Sequence, residues 1–299
     1  MGCNAAIPAH NRNQTSQFLT MMQFNFLIDC GEGTQLQLKK YKLKANRIDH
    51  IFISHLHGDH YYGLMGLISS MHLYGRKKEL YLFGPPGLAE IITLQLKYSD
   101  TSLNYKVIFK EWKPNNSELL FENNYLTVHS FPLNHRVNCS GFLFQEKPKN
   151  KRINKNNLPE EITPLQILAL KRGEDVMSDD GNILYKNSVY TSKAYHSLSY
   201  AYCSDTKYDE RILPYIKEVD LLYHEATFMT DMEERAALTF HTTTKQAGEI
   251  AKLANVGKLI IGHYSTRYKE VEPMLAETKA VFPNTELAIE GKVYALEDA

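Results

Sequence analysis

Short apolar runs alternate with helix-period segments over the first hundred residues. Phe24 to Asp29 (FNFLID) reads as a buried strand that stops at Cys30-Gly31-Glu32-Gly33, and Thr34 to Lys44 predicts a helix. Ile48 to Ser54 (IDHIFIS) is a second strand, since a short apolar run bounded by turn signals fits a strand covered on both faces. His60 to Tyr74 carries Leu64, Leu67, Ile68 and Met71 at helical spacing. Glu79 to Phe83 predicts a strand, Gly84-Pro85-Pro86-Gly87 a turn, and Leu88 to Lys97 a helix. The middle changes character: Tyr105 to Trp112, Tyr125 to Phe131 and Gly141 to Gln145 are strands with little helix between them. A polar, basic stretch, Glu146 to Asn157, follows and is not expected to pack; Ile162 to Lys171 predicts a short helix, and Asp179-Asp180-Gly181-Asn182 a hairpin turn. Strand returns at Leu198 to Ser204. In the last third, helices are predicted at Tyr208 to Lys217, Thr243 to Ala254 and Glu270 to Val281, strands at Asp220 to Tyr223 and Lys258 to Ile261, and two short strands at the end.

This pattern predicts an α/β (α+β) chain: a two-sheet sandwich with helices outside, one domain over 1–299 carrying an inserted segment at about 146–195. Composition narrows the chemistry. The 34 basic and 34 acidic residues balance, which excludes a chain that is basic throughout but leaves room for a local basic patch. The cysteines Cys3, Cys30, Cys139 and Cys203 form no C-x-x-C pair, so a zinc finger is excluded and a reducing compartment fits. No apolar run is long enough to span a membrane and no secretory signal is present, so a cytoplasmic location with no membrane partner is expected.

One loop concentrates the chemistry. Ser54-His55-Leu56-His57-Gly58-Asp59-His60 places three imidazoles and a carboxylate directly after an apolar strand. At a strand end, positions two apart point the same way, so His55 and His57 can grip one metal. Gly58 lets the backbone turn, sending Asp59 and His60 toward a second. Burying such a cluster without a metal is costly, and zinc takes imidazole and carboxylate readily. Further candidates stand just past apolar strands: His135, Asp205 and His263. The expected arrangement is His55, His57 and His135 on one metal, Asp59, His60 and His263 on the other, and Asp205 bridging.

His55-Leu56-His57-Gly58-Asp59-His60 resembles the histidine loop of the metallo-β-lactamase superfamily. Leu27-Ile28-Asp29-Cys30-Gly31-Glu32-Gly33-Thr34-Gln35, Ser204-Asp205-Thr206, His224-Glu225-Ala226-Thr227, His241-Thr242-Thr243 and His263-Tyr264-Ser265-Thr266-Arg267-Tyr268 are together similar to the ribonuclease Z family, endonucleases that mature the 3′ end of transfer RNA. The resemblance covers nearly the whole chain. It implies an αββα sandwich of two mixed sheets, two Zn2+ per subunit (Mn2+ or Fe2+ as alternatives), a homodimer, precursor tRNA as partner and no DNA. The expected reaction removes the 3′ trailer by hydroxide attack on a phosphodiester, leaving a 3′-hydroxyl on the tRNA. The resemblance also implies Asp59 as the group that orients the water and takes its proton, and His241, held by Glu225, as the acid for the leaving oxygen. Arg267 is a candidate fork donor to phosphate, with Arg12 a second substrate contact.

Asn4-Ala5-Ala6-Ile7-Pro8 to Arg12-Asn13 resembles the family's first loop, with His10 where the family has lysine. In relatives a short strand precedes that loop; this sequence starts at Met1-Gly2, so that strand is expected to be missing. The inserted segment occupies the place of the family's flexible arm, which grips the tRNA body bound to the other subunit. Lys147, Lys149, Lys151, Arg152 and Lys155 are its candidate phosphate contacts. The alternative is a hydrolase of the same fold acting on small phosphodiesters or other esters, since one sandwich hosts many chemistries.

Overall fold

The computed structural model describes residues 1–296. One sheet holds five strands in the order β1 Gln17–Met21, β2 Phe24–Ile28, β3 Ile48–Phe52, β4 Leu80–Gly84 and β5 Val107–Glu111. The second holds β6 Glu118–Glu122, β7 Leu126–Leu133, β8 Cys139–Glu146, β13 Ser199–Cys203, β14 Leu221–Glu225, β15 Lys258–Gly262 and β16 Thr285–Leu287, in the spatial order β16-β15-β14-β13-β8-β7-β6. Between β8 and β13 the chain makes two small two-stranded sheets, from β9 Arg152–Ile153, β10 Val176–Met177, β11 Ile183–Tyr185 and β12 Thr191–Ser192.

Alternation along each strand builds four layers. In β2, Phe26 and Ile28 face the other sheet while Leu27 faces helices; in β13, Tyr200 and Tyr202 face inward while Ala201 and Cys203 face out. The space between the sheets is aromatic, with Phe26, Phe52, Phe83, Phe142, Phe144, Tyr200 and Tyr202 buried together. Helices Leu64–Leu73 and Leu88–Tyr98 cover the outer face of the first sheet through Leu64, Leu67, Ile68, Met71, Leu88 and Ile92. Helices Thr244–Leu253 and Glu272–Lys279 cover the second through Ala247, Ile250, Ala251 and Met274.

Strand direction gathers the site at one edge. β2, β3, β4 and β5 run parallel, as do β13, β14, β15 and β16. β7 is antiparallel to β8, which is antiparallel to β13, so β7 runs with β13. The carboxyl ends of β3, β7, β13, β14 and β15 therefore meet on one side, where an open αβ sheet presents its ligands.

Several elements depart from the sequence expectation. The helix predicted over His60 to Tyr74 is two, Gly58–Tyr61 and Leu64–Leu73. Gly63 separates them because it lies against the turn after β2: a Cβ there would stand 2.2 Å from the Gly31 carbonyl oxygen. Tyr208 to Lys217 is a 3-10 turn and a four-residue helix, Leu213–Ile216, rather than a long helix. Within the insert, the stretch expected not to pack contributes Ile153 to a small core with Ile162, Leu170, Val176, Tyr185 and Tyr190. Of the two closing strands, β16 is the one present among the described residues.

Candidate metal centre and its surroundings

His55 and His57 follow β3, His135 follows β7, Asp205 follows β13 and His263 follows β15. All seven expected ligands stand together, with ligand atoms of His55, His57, His135 and Asp205 in one group and those of Asp59, His60 and His263 in a second. In the first, His57 Nδ1 lies 3.0 Å from His55 Nε2 and 3.1 Å from His135 Nε2. In the second, the Nε2 atoms of His60 and His263 are 3.3 Å apart, each 3.5 Å from Asp59 Oδ2. Asp205 stands between them: Oδ2 faces His55 at 3.7 Å and His135 at 3.9 Å, and Oδ1 faces His60 at 3.3 Å and His263 at 3.1 Å.

The outer partner of each ring decides which nitrogen can bind. His60 Nδ1 meets Asp29 Oδ2 at 2.8 Å and His135 Nδ1 meets the Phe240 carbonyl at 3.0 Å, so both nitrogens carry the proton. Ser54 Oγ donates to Asp29 Oδ2 and so accepts from His55 Nδ1 at 3.0 Å. In the neutral forms of these three rings Nε2 is therefore the lone pair, aimed at neighbouring donors and at Asp205. Asp205 Oδ1 is buried without a hydrogen-bond donor. Imidazole lone pairs converging on an orphaned carboxylate oxygen fit divalent cations, and the nitrogen and oxygen donor set suits zinc. Charge points the same way. Burial works against a charged His60, but Asp205, Asp59 and Asp29 outweigh it and raise its pKa well above the ordinary histidine value, so the pocket favours a positive charge at Nε2, whether a proton or a cation in its place. Burial likewise opposes ionisation of Asp205, yet His263, His60 and His55 hold its carboxyl well below the usual range.

Asp29 is the residue that motif reasoning left without a role. It is fully buried, takes a left-handed φ of 55°, and accepts from Ser54 N at 2.7 Å, Ser54 Oγ at 2.8 Å and Tyr202 Oη at 2.6 Å as well as from His60. Its signal was in the sequence: a carboxylate closing an apolar strand. Phe240 and His263 also have left-handed backbone, at 60° and 61°. Such conformations are costly for side-chain-bearing residues and gather where geometry matters; that of Phe240 accompanies the aim of its carbonyl at His135.

Beside the second group, His241 Nδ1 meets Glu225 Oε1 at 2.9 Å. Burial opposes charge on His241, but the Glu225 carboxylate and its hydrogen bond outweigh it and raise the pKa to about 9. Glu225 is fully buried at the end of β14, and the imidazole is 16% exposed. His241 also lies close enough to Asp205 and His263 to form a third possible donor group.

The first loop rims the site. Ala6 N–H donates to Asp59 Oδ2 at 2.8 Å, and His10 Nε2 meets the Thr266 carbonyl at 2.9 Å. Arg12 gives its donors to Asn4 Oδ1 and to the Tyr268 and Lys269 carbonyls, tying this loop to the segment after β15. Arg267 is exposed on that segment, and no ion pair involves it among the described residues. Gly58 touches the Tyr62 ring so closely that a Cβ would lie 2.2 Å from it.

Residues 1–148 match the model of a family described as Anti-Pycsar protein Apyc1, a stretch that ends before Asp205, Glu225, His241 and His263. Over its whole length the chain is 49% identical to the ribonuclease Z of Cytophaga hutchinsonii, covering 95% of that protein. It is 43% identical to the ribonuclease Z of Phocaeicola vulgatus, with 99% and 96% of the two chains aligned. Among solved structures, the short form of human tRNase Z superposes with a TM-score of 0.70 at 27% identity, over 99% of this chain and 97% of that one. The metallo-β-lactamase fold protein YhfI from Bacillus subtilis shares the fold at a TM-score of 0.68 and 20% identity, over 98% and 95% of the two chains. With this identity end to end, and a cation-ready centre at the sheet edges, the chain belongs to the ribonuclease Z family and has the metallo-β-lactamase fold.

Proposed function

We infer that the chain is an endoribonuclease that removes the 3′ trailer of precursor tRNA by hydrolysing the phosphodiester after the discriminator nucleotide. The observation that carries this is the pair of inward-facing donor groups, with Asp205 between them, in a chain nearly half identical to a ribonuclease Z. His55, His57 and His135 would hold one Zn2+, Asp59, His60 and His263 a second, and Asp205 both; Mn2+ or Fe2+ suits the same donors. Bound as a pair, such ions supply an acidified water and neutralise charge on the reacting phosphate.

The protein's own groups do the rest. Asp59, held by Ala6 N–H, orients the attacking water and takes its proton. Water oxygen joins phosphorus as the bond to the 3′ oxygen breaks, so the phosphate stays on the trailer. His241 gives its proton to that 3′ oxygen and leaves a 3′-hydroxyl on the tRNA; the Glu225 carboxylate keeps it protonated at neutral pH. Arg267, exposed beside the centre, grips a phosphate through its fork of donors, and Arg12 holds the loop against which the RNA end lies. The basic insert reaches for the tRNA body. A homodimer is the proposed assembly: Leu36, Leu73 and Tyr74, exposed on helices that pack together, offer an apolar surface for a second copy. A monomer mass by light scattering at micromolar concentration would remove the dimer from the proposal.

The test is to map the cut in a 3′-extended tRNA, with and without chelator, beside a small chromogenic phosphodiester. A single chelator-sensitive cut after the discriminator supports the reading. Cleavage of the small ester alone would replace it with a small-phosphodiester hydrolase.

A further inference from the structure

Thr227 closes the His224-Glu225-Ala226-Thr227 motif and is buried. Its hydroxyl lies 2.6 Å from Glu225 Oε2, 2.9 Å from His263 Nδ1 and 3.3 Å from His241 Nδ1. The direction of each bond follows from counting donors. Glu225 accepts on both oxygens, from Thr206 N–H and His241 at Oε1 and from Thr227 N–H at Oε2, so it has no proton to give. The one hydroxyl proton of Thr227 therefore goes to Oε2. Its oxygen is left as an acceptor, and the donor facing it at 2.9 Å is Nδ1–H of His263. A His263 ring bonded in this way turns its Nε2 lone pair toward His60, Asp59 and Asp205.

We propose that Thr227 is a positioning residue that couples the two halves of the centre. Its hydroxyl aims His263 at the second metal position, and the same hydroxyl fixes the carboxylate that holds His241. One hydrogen-bonded line thus runs from His263 through Thr227 and Glu225 to His241, so the geometry of the metal position and of the proton donor are set together. Asp29 does the corresponding work for His60 with a carboxylate; here a neutral hydroxyl stands between ligand and carboxylate, which leaves Glu225 free to serve His241 as well. This rests on His263 being a ligand.

The experiment uses the full chain loaded with zinc, challenged with graded chelator, with metal equivalents counted by mass spectrometry. Thr227→Val keeps the shape and removes the hydroxyl. One equivalent should be held as in the parent and the other about 10- to 100-fold more weakly, the range for losing an outer partner of a ligating histidine. Thr227→Ser should restore parental retention, and with excess zinc Thr227→Val should lower kcat on RNA while KM stays. Both equivalents retained at parental affinity in Thr227→Val would overturn the coupling, as would loss of cooperative melting in both Thr227→Val and Thr227→Ala, which marks a residue of the fold alone. His263→Ala separates the premises. If it keeps two equivalents, the ligand assignment fails; if it loses one and Thr227→Val loses none, only the coupling fails.

Discussion

At the scale of single residues, the sharpest division of labour in the proposed reaction is between His241 and the candidate ligand histidines. His241 is pinned by Glu225 from one side and partly exposed on the other, as a proton donor to substrate must be. His241→Ala should keep both metal equivalents and lose roughly a hundred- to ten-thousand-fold in kcat on an ordinary RNA. An RNA with sulfur in place of the bridging 3′ oxygen needs no proton on its leaving group and should be cut nearly as fast by the variant as by the parent. An equal deficit on both substrates, or loss of a metal equivalent, would mean that His241 acts as the ligand its place near Asp205 and His263 also allows. The seven ligand candidates could be picked out because they fall either in the tight cluster His55 to His60 or singly just past an apolar strand, positions with few bland explanations once three histidines cluster. The groups that aim them were less so: Asp29 carries a similar mark, a carboxylate closing an apolar strand, but no histidine cluster stands beside it in the sequence. Asp29, Ser54 and the Phe240 carbonyl act through contacts made only when separate strands are brought to one edge, and a backbone carbonyl leaves no trace in residue identity.

At the scale of elements, most strands with an apolar run were readable, and two edge strands were not. β2 (FNFLI) and β3 (IDHIF) are mainly apolar and β5 (VIFKE) opens on an apolar triplet, whereas β1 (QFLTM) and β6 (ELLFE) set apolar residues between polar ones at the sheet edges and drew no strand expectation. Helix Glu233–Thr239 was missed for a related reason, burying only Ala236. His50, on β3, shows how an element can hold a titratable group that the chemistry does not use. Its ring lies against Phe121 at 4.4 Å, Phe26 at 5.6 Å and Tyr81 at 5.3 Å, with Nδ1 buried and unpartnered. Burial lowers its pKa to about 4, Lys78 and Arg76 adding to the effect and Asp49 opposing it. The folded chain thus keeps His50 neutral where the unfolded chain protonates it. That contribution is complete above the unfolded value near 6.5 and is lost as pH falls toward 4, by up to about 3 kcal/mol at 1.4 kcal/mol per unit. His50→Phe should flatten this slope, so the urea-midpoint difference between parent and variant should change between pH 7 and pH 5 in the variant's favour. A difference that stays constant across that window would show an ordinary titration in the folded state.

At the scale of the molecule, the insert stands apart from the sandwich in a way that makes its role separable. Residues 147–198 leave the second sheet after β8 and rejoin it at β13, and the small core around Leu170, Val176 and Tyr185 is distinct from the clusters between and outside the two sheets. Its helix Pro164–Arg172 is closed by its own signals, a Thr163-Gln166 capping box at one end and Gly173 with φ 94° at the other. Neither the seven ligand candidates nor His241 and Glu225 belong to it. Antiparallel pairing of Arg152 with Ser192 and Ile153 with Thr191 brings its two arms together, so a two-residue Asn-Gly turn can replace 154–190 without crossing the sandwich. That variant should melt cooperatively, bind the parental metal complement and hydrolyse a small chromogenic phosphodiester at the parental rate. On precursor tRNA its KM should rise at least about tenfold; in the intact chain, replacing Lys147, Lys149, Lys151, Arg152 and Lys155 by glutamine should weaken the salt dependence of binding, because fewer phosphates are then neutralised by lysine and arginine. The salt slope is the deciding measurement. An arm that grips RNA electrostatically contributes to that slope in proportion to its phosphate contacts, whereas a segment that only shields the sandwich from solvent would leave both slope and KM where they were.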